Sequence, residues 1–161
     1  MKILIVSDTH RQNANYFEIL RRIQPLDMVI HCGDAEGSEY AISKAADCPV
    51  KIVLGNNDFF SQLPKELEFK IGSLNVLVTH GHNYYVSAGL GVLKKEAKAR
   101  GIDVVFFGHT HRPVIDQTEE GLTLVNPGSL SYPRQEGRKP SYAIMEIDRY
   151  GIPHYTIAYL E

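Results

Sequence analysis

The chain has 161 residues, of which 43% are hydrophobic, with a formal net charge of -2 and a pI near 6.4. A chain of that length buries about 70% of its unfolded surface, so residues 1–161 are expected to form a single domain without a staple. The charge balance excludes an extended nucleic-acid surface, and no stretch approaches the roughly 20 apolar residues that cross a bilayer, so no membrane partner is expected.

Residues 2–7 open the chain as an Ile- and Val-rich run, too short for a signal-peptide core, and read as a buried strand. Tyr16, Ile19, Leu20 and Ile23 stand at i, i+3, i+4 and i+7, which places an apolar stripe on a helix closed by Pro25. Residues 28–32 and 50–54 repeat the buried-strand pattern around a weaker helical stripe over 38–46. Cys32 and Cys48 have no secretory context and read as reduced thiols, consistent with a cytoplasmic location.

Residues 68–78 carry a hairpin signature with Gly72 and Ser73 at the turn. Val86, Leu90, Leu93 and Ala97 mark a helix ending at Gly101, and 103–107 is another buried strand. The rest alternates short strands, over 114–117, 122–125, 142–147 and 154–159, with turns at Gly121 and Gly151. A β-α alternation followed by a strand-rich tail predicts an α/β sandwich of two packed sheets with helices outside.

Asp8, Asp34, Asn56, His80 and His109 each follow the C-terminal end of an expected strand, the edge of α/β sheets at which ligands bind. Imidazole, carboxylate and amide oxygen together suit manganese, iron, nickel or zinc. Gly33, Gly55, Gly81 and Gly108 flank these positions, where tight turns or close backbone approach need a small residue. Taken singly, Asp8 with His10, or Gly33 with Asp34, is a common turn pattern. Gly108-His109-Thr110-His111 is more specific, because two alternate imidazoles at a strand end are unusual without a metal.

The blocks Asp8-Thr9-His10, Gly33-Asp34, Gly55-Asn56-Asn57-Asp58, Thr79-His80-Gly81-His82 and Gly108-His109-Thr110-His111 resemble, in order, the signature of the calcineurin-like metallophosphoesterases. The run Asn126, Pro127, Gly128, Ser129 is similar to the small bacterial and archaeal phosphodiesterases of that superfamily. The resemblance implies a four-layer α-β-β-α sandwich with two mixed sheets and a metal site at the C-terminal strand ends. It also implies two divalent ions per chain, manganese first, with iron, nickel or zinc as alternatives. Asp8, His10 and His111 would hold one ion, Asn56, His80 and His109 the other, with Asp34 bridging. The implied reaction is hydrolysis of a small phosphodiester or nucleotide-like substrate, by in-line attack of a hydroxide held between the metals. Oligomeric state stays open, a homo-oligomer included.

The chain departs from many superfamily members at Asn57, where they carry a histidine that assists the leaving oxygen. An amide donates a hydrogen bond but supplies no proton at neutral pH. His82 is the candidate substitute, against the alternative of a surface histidine. Asp34, Asn57 and His82 are therefore the candidate catalytic residues, and Arg11, Asn57, Gly128 and Ser129 the candidate substrate contacts. Arg112 and Arg134 read either as phosphate contacts or as solvated side chains. Phe59, Phe60, Tyr84 and Tyr85 are open between stacking on a base and packing. His31 and His154 read as structural. The competing reading is a non-catalytic metal-binding scaffold, since a scaffold subunit of eukaryotic retromer shares this fold; the filling of all seven ligand positions favours the enzyme.

Overall fold

Strand β1 (Lys2–Val6) has Ile3 and Ile5 on one face and Leu4 and Val6 on the other, all fully buried, so it demands cover on both sides. In the computed structural model, which describes residues 1–161, the chain continues through helix α1 (Ala14–Ile23), β2 (Met28–His31), α2 (Glu39–Ala45) and β3 (Val50–Ile52). The strands β4 (Glu66–Ile71) and β5 (Leu74–Thr79) form the expected hairpin, and α3 (Gly91–Ala99) leads to β6 (Val104–Phe106), β7 (Pro113–Gln117) and β8 (Thr123–Pro127). The chain ends with β9 (Ser141–Ile147) and β10 (Pro153–Tyr159).

These strands make two five-stranded mixed sheets, ordered β10-β9-β1-β2-β3 and β4-β5-β6-β8-β7. Ile3, Ile5, Ile30, Val76, Val78 and Phe106 interlock between the sheets. The alternate residues Leu4, Val6 and Val29 meet Tyr16, Ile19 and Leu20 of α1 and Ile42 of α2. On the far side Leu77, Val105 and Leu124 meet Leu93 and Ala97 of α3. The period-2 alternation of apolar strands thus produces the four layers α-β-β-α, as expected.

The third helix starts later than expected. The helix read from Val86 begins only at Gly91, because His82–Tyr84 forms a 3-10 turn and Tyr85 takes a left-handed φ of 55°. Val86 and Leu90 still pack on the α3 core, so the periodicity there reports burial rather than helix.

The parallel trio β1, β2 and β3 and the parallel pair β5 and β6 bring their C-terminal ends to one rim. Backbone bonds from Asp8 N–H to Gly33 O (3.0 Å) and from Gly108 N–H to His80 O (3.1 Å) lace the rim loops together within and across that pattern. No helix is long and apolar enough to cross a membrane.

Candidate metal centre

Asp8 leaves β1 into the rim with its two carboxylate oxygens in different surroundings. Oδ2 accepts from Ser7 Oγ at 2.5 Å and from the His109 backbone N–H at 3.1 Å. Oδ1 is buried and has no hydrogen-bond partner, yet His111 Nε2 lies 3.1 Å away, His10 Nε2 3.7 Å and His80 Nε2 3.8 Å. A buried carboxylate oxygen facing three imidazole nitrogens is costly unless a positive charge sits among them.

The outer bonds of the imidazoles set which nitrogen faces in. His80 Nδ1 donates to Cys32 O and His111 Nδ1 to Tyr132 O, each at 2.7 Å, leaving both Nε2 lone pairs turned inward. His10 Nδ1 lies 3.2 Å from Glu36 Oε1, so it too presents Nε2. His109 is reversed, with Nδ1 3.1 Å from Asn56 Oδ1, and His80 Nε2 is 2.9 Å from that same oxygen. At the His80–Asn56 gap acceptor faces acceptor, an arrangement that a cation relieves. Asp34 Oδ2 stands 3.4 Å from His80 Nε2 and 3.8 Å from His10 Nε2, between the two groups.

The structure therefore brings all seven sequence-predicted positions to one place. Asp8, His10 and His111 form one triad and Asp8, Asp34 and His80 another, with ligand atoms within 4.8 Å of one another in each. Asp8 reaches both, whereas the resemblance assigned it to a single ion.

The backbone is distorted to achieve this. Asp8, His10, Asp34, His109 and His111 have φ of 55°, 47°, 61°, 71° and 58°, the left-handed region that side chains other than glycine adopt at a cost of about 1–3 kcal/mol each. Half of the ten non-glycine residues with positive φ are thus candidate ligands, a concentration typical of binding sites.

Several supports were not visible in the sequence as such. The Asp58 carboxylate accepts from the backbone N–H of Asp34 (2.9 Å), Gly55 (2.7 Å) and Glu36 (2.6 Å), tying the loops after β2 and β3 together. Only its place in the Asn56-Asn57-Asp58 run hinted at a role. Asn126 Nδ2 donates to Gly108 O and Thr110 Oγ1, both at 3.0 Å, and so props the histidine loop after β6. His31 is fully buried between the Gly33 N–H and Thr9 Oγ1, and burial pushes its pKa down to about 4, so it is the neutral structural imidazole expected.

The candidate catalytic and substrate residues divide. Asn57 grips Asp34 twice, its backbone N–H donating to Oδ1 and its Nδ2 to Oδ2, each at 2.9 Å. The His82 ring lies 5.4 Å from that of His80 and 6.0 Å from that of His109, and its buried Nδ1 has no partner. Burial, with His80 nearby, lowers its pKa. Arg11 extends along the rim and donates from Nε to Glu36 O at 2.7 Å. Gly128 and Ser129, expected as substrate contacts, are both buried. Ser129 Oγ instead donates to the Asp8 carbonyl at 2.8 Å and accepts from Tyr132 N–H at 2.9 Å, anchoring the Asp8 turn from below. Phe59, Phe60 and Tyr85 are exposed, while the Tyr84 hydroxyl donates to Glu66 and accepts from Arg100. His154 pairs with Asp148 on the surface.

Charge on the ligands is set by these contacts. Burial alone would lower the His10 pKa, but Asp8 and Glu36 outweigh it and raise it to about 9. Burial would raise the Asp8 carboxyl, but the imidazoles of His10, His111 and His80 facing it hold it well below the usual carboxylate range. A metal ion held by His10 would displace its proton, which is bound below pH about 9. Manganese titration at pH 7.5 is therefore expected to release protons, seen as a calorimetric enthalpy that changes with the ionisation enthalpy of the buffer. A buffer-independent enthalpy would contradict it.

The profile of the calcineurin-like phosphoesterase superfamily domain matches residues 1–150. A probable metallophosphoesterase of Bacillus subtilis is 36% identical over 149 residues, covering 92% of this chain and 85% of that protein. A phosphodiesterase of Methanocaldococcus jannaschii is 30% identical over 146 residues, covering 80% and 83%. Among solved structures, an uncharacterised Streptococcus pneumoniae protein predicted to be a phosphoesterase superposes with a TM-score of 0.80 at 26% identity, over 98% of this chain and 97% of that one. Vacuolar protein sorting 29 of Cryptosporidium parvum shares the fold, with a TM-score of 0.77 at 19% identity over 99% and 97%.

Proposed function

Because this chain belongs to the calcineurin-like phosphoesterase superfamily, we propose that it is a dinuclear-metal-dependent phosphodiesterase acting on a small, nucleotide-like diester. The observation that carries this reading is the bare, buried Asp8 Oδ1 facing the Nε2 atoms of His10, His80 and His111. The donor set of imidazole, carboxylate and amide oxygen fits divalent manganese, iron, nickel or zinc, with manganese our first choice. Asp8, His10 and His111 would hold one ion, Asn56, His80 and His109 the second, and Asp34 would lie between. When bound, two such cations neutralise the anionic diester, activate a water and clamp the phosphoryl oxygens for in-line attack.

The chain's own residues supply the rest. Asn57 orients both oxygens of Asp34 and donates where many relatives in the superfamily hold a proton-bearing histidine. His82 is the other imidazole beside the site, but burial and the neighbouring His80 lower its pKa, so at neutral pH it offers the leaving oxygen a hydrogen bond rather than a proton. General-acid assistance is typically about 10²- to 10⁴-fold, so Asn57→His is expected to raise turnover of a diester with a poor leaving group. Unchanged turnover would remove Asn57 as the limit on rate.

The deciding experiment is hydrolysis of bis(p-nitrophenyl) phosphate with added manganese by the native chain and by Asp34→Asn. We expect metal-dependent turnover in the first and a loss of roughly 10²-fold or more in the second, beyond what displacing an outer hydrogen-bond partner costs. Equal rates would favour the alternative, a non-catalytic metal-binding scaffold of the same fold. The reaction needs only soluble components, in keeping with a cytoplasmic protein.

A further inference from the structure

Of the eight arginines, five are satisfied within the chain. Arg21 and Arg22 pair with Glu18, Arg100 with Glu66 and Glu96, Arg11 bonds Glu36 O and Arg149 bonds Tyr150. The other three, Arg112, Arg134 and Arg138, hydrogen-bond only through their backbones and have no ion-pair partner. All three line one open cleft of about 700 Å³ that also takes in His111 and Tyr132. In a chain whose net charge is -2, three like charges gathered without a carboxylate repel one another, and an anion in the cleft would relieve that repulsion.

The cleft is built onto the metal centre. Tyr132 O accepts from His111 Nδ1 at 2.7 Å, and the Tyr132 ring stands edge-on to His10 with centroids 5.3 Å apart. The Arg134 backbone N–H donates to His111 O at 3.0 Å, and Arg138 is held at a left-handed φ of 45°. Arg112 and Arg134 also border an adjoining cleft of about 440 Å³ with Leu90, Thr110 and Val114 in its walls.

We propose that the arginine cleft binds a second, non-scissile phosphate of the substrate, so that the preferred substrates are nucleotide-like diesters carrying a further phosphate group. Guanidinium forks match phosphate oxygens bidentately, and three arginines line this cleft beside His111. The inference rests on the phosphodiesterase reading above and adds the substrate class to it.

The test compares the dinucleotides pApA and ApA, which differ by one terminal phosphate, on the full chain. Calorimetry on the metal-free protein is expected to show pApA binding at least about tenfold more tightly than ApA, the effect of one charge-assisted phosphate contact. The Arg134→Ala/Arg138→Ala double variant is expected to bring the two affinities together, and the kcat/KM ratio with manganese should collapse in parallel. Equal affinities in the native chain, or a preference that survives in the double variant, would overturn the proposal. Inorganic phosphate that raises ApA binding to the pApA level would make the cleft a site for the free anion and overturn its assignment to substrate. If the binding preference holds and is lost in the double variant while neither dinucleotide nor bis(p-nitrophenyl) phosphate is hydrolysed, the failure lies with the phosphodiesterase reading and not with the cleft.

Discussion

Replacing Asp8 with alanine is expected to lower manganese affinity by roughly 10²-fold or more and to abolish the metal's stabilisation of the fold. Asp8 Oδ1 is the carboxylate oxygen shared by both triads, and its nearest neighbours are imidazole nitrogens. Removing it takes away the charge that offsets two cations and leaves the Nε2 atoms of His10, His80 and His111 without the carboxylate oxygen they face. Losing a hydrogen bond one step behind a metal ligand already costs 10- to 100-fold, so loss of the ligand itself sits at or above the top of that range. A metal present at 100 times its Kd stabilises the native state by about 2.7 kcal/mol. In a domain of this size that corresponds to a rise in Tm of about 5–11 °C. Thermal melts of the native chain and of Asp8→Ala, with and without manganese, check both parts. An equal rise in the two proteins would mean that Asp8 does not hold the metal.

The second large effect is expected from Gly55→Ala. A Cβ at position 55 would stand 2.1 Å from Asp34 Oδ1 and 2.3 Å from the Asp34 backbone nitrogen, so a loop would have to move. Both atoms belong to a tied unit: Asp58 Oδ2 receives the N–H groups of Gly55 and Asp34 together, and Asn57 grips the Asp34 carboxylate. Overpacking at such a site typically costs about 1–3 kcal/mol, and the displacement falls on Asp34 and on the adjacent Asn56. The variant should unfold at lower denaturant with an unchanged m-value and bind manganese more weakly. Native-like midpoint and affinity would show that the loops after β2 and β3 adjust freely. Gly108→Ala probes the opposite wall, where a Cβ would lie 2.0 Å from Ser7 Oγ and 2.7 Å from Asp8 Oδ2.

The layered fold was legible because its signals are local. The continuous apolar runs of Lys2–Val6 and Leu74–Thr79, buried on both faces, and the stripe Tyr16, Ile19, Leu20 follow from local sequence pattern alone. Where a local rule was asked to do more it overran: Val86 lies on the apolar face that α3 extends but outside its hydrogen-bonded turns, and Leu90 only caps the helix, its carbonyl accepting from the Lys94 N–H. Burial and helix share a period, and only the backbone distinguishes them.

The donor types and their strand-end spacing were likewise fixed by primary structure, since Asp8, Asp34, Asn56, His80, His109 and His111 each lie within a few residues of a recognisable strand. Which nitrogen each histidine presents was decided elsewhere. The Cys32 carbonyl that orients His80 is 48 residues away, and the Ser129 hydroxyl beneath the Asp8 turn is 121 residues away. The same long-range contacts hold Asp8 and His109 in left-handed backbone and gather Arg112, Arg134 and Arg138 beside His111. Composition and spacing determine which atoms are able to bind a cation. Their inward aim, the bare Asp8 oxygen and the arginine cleft arise only when distant loops supply the hydrogen bonds that hold strained turns in place, because those bonds have no counterpart in local sequence.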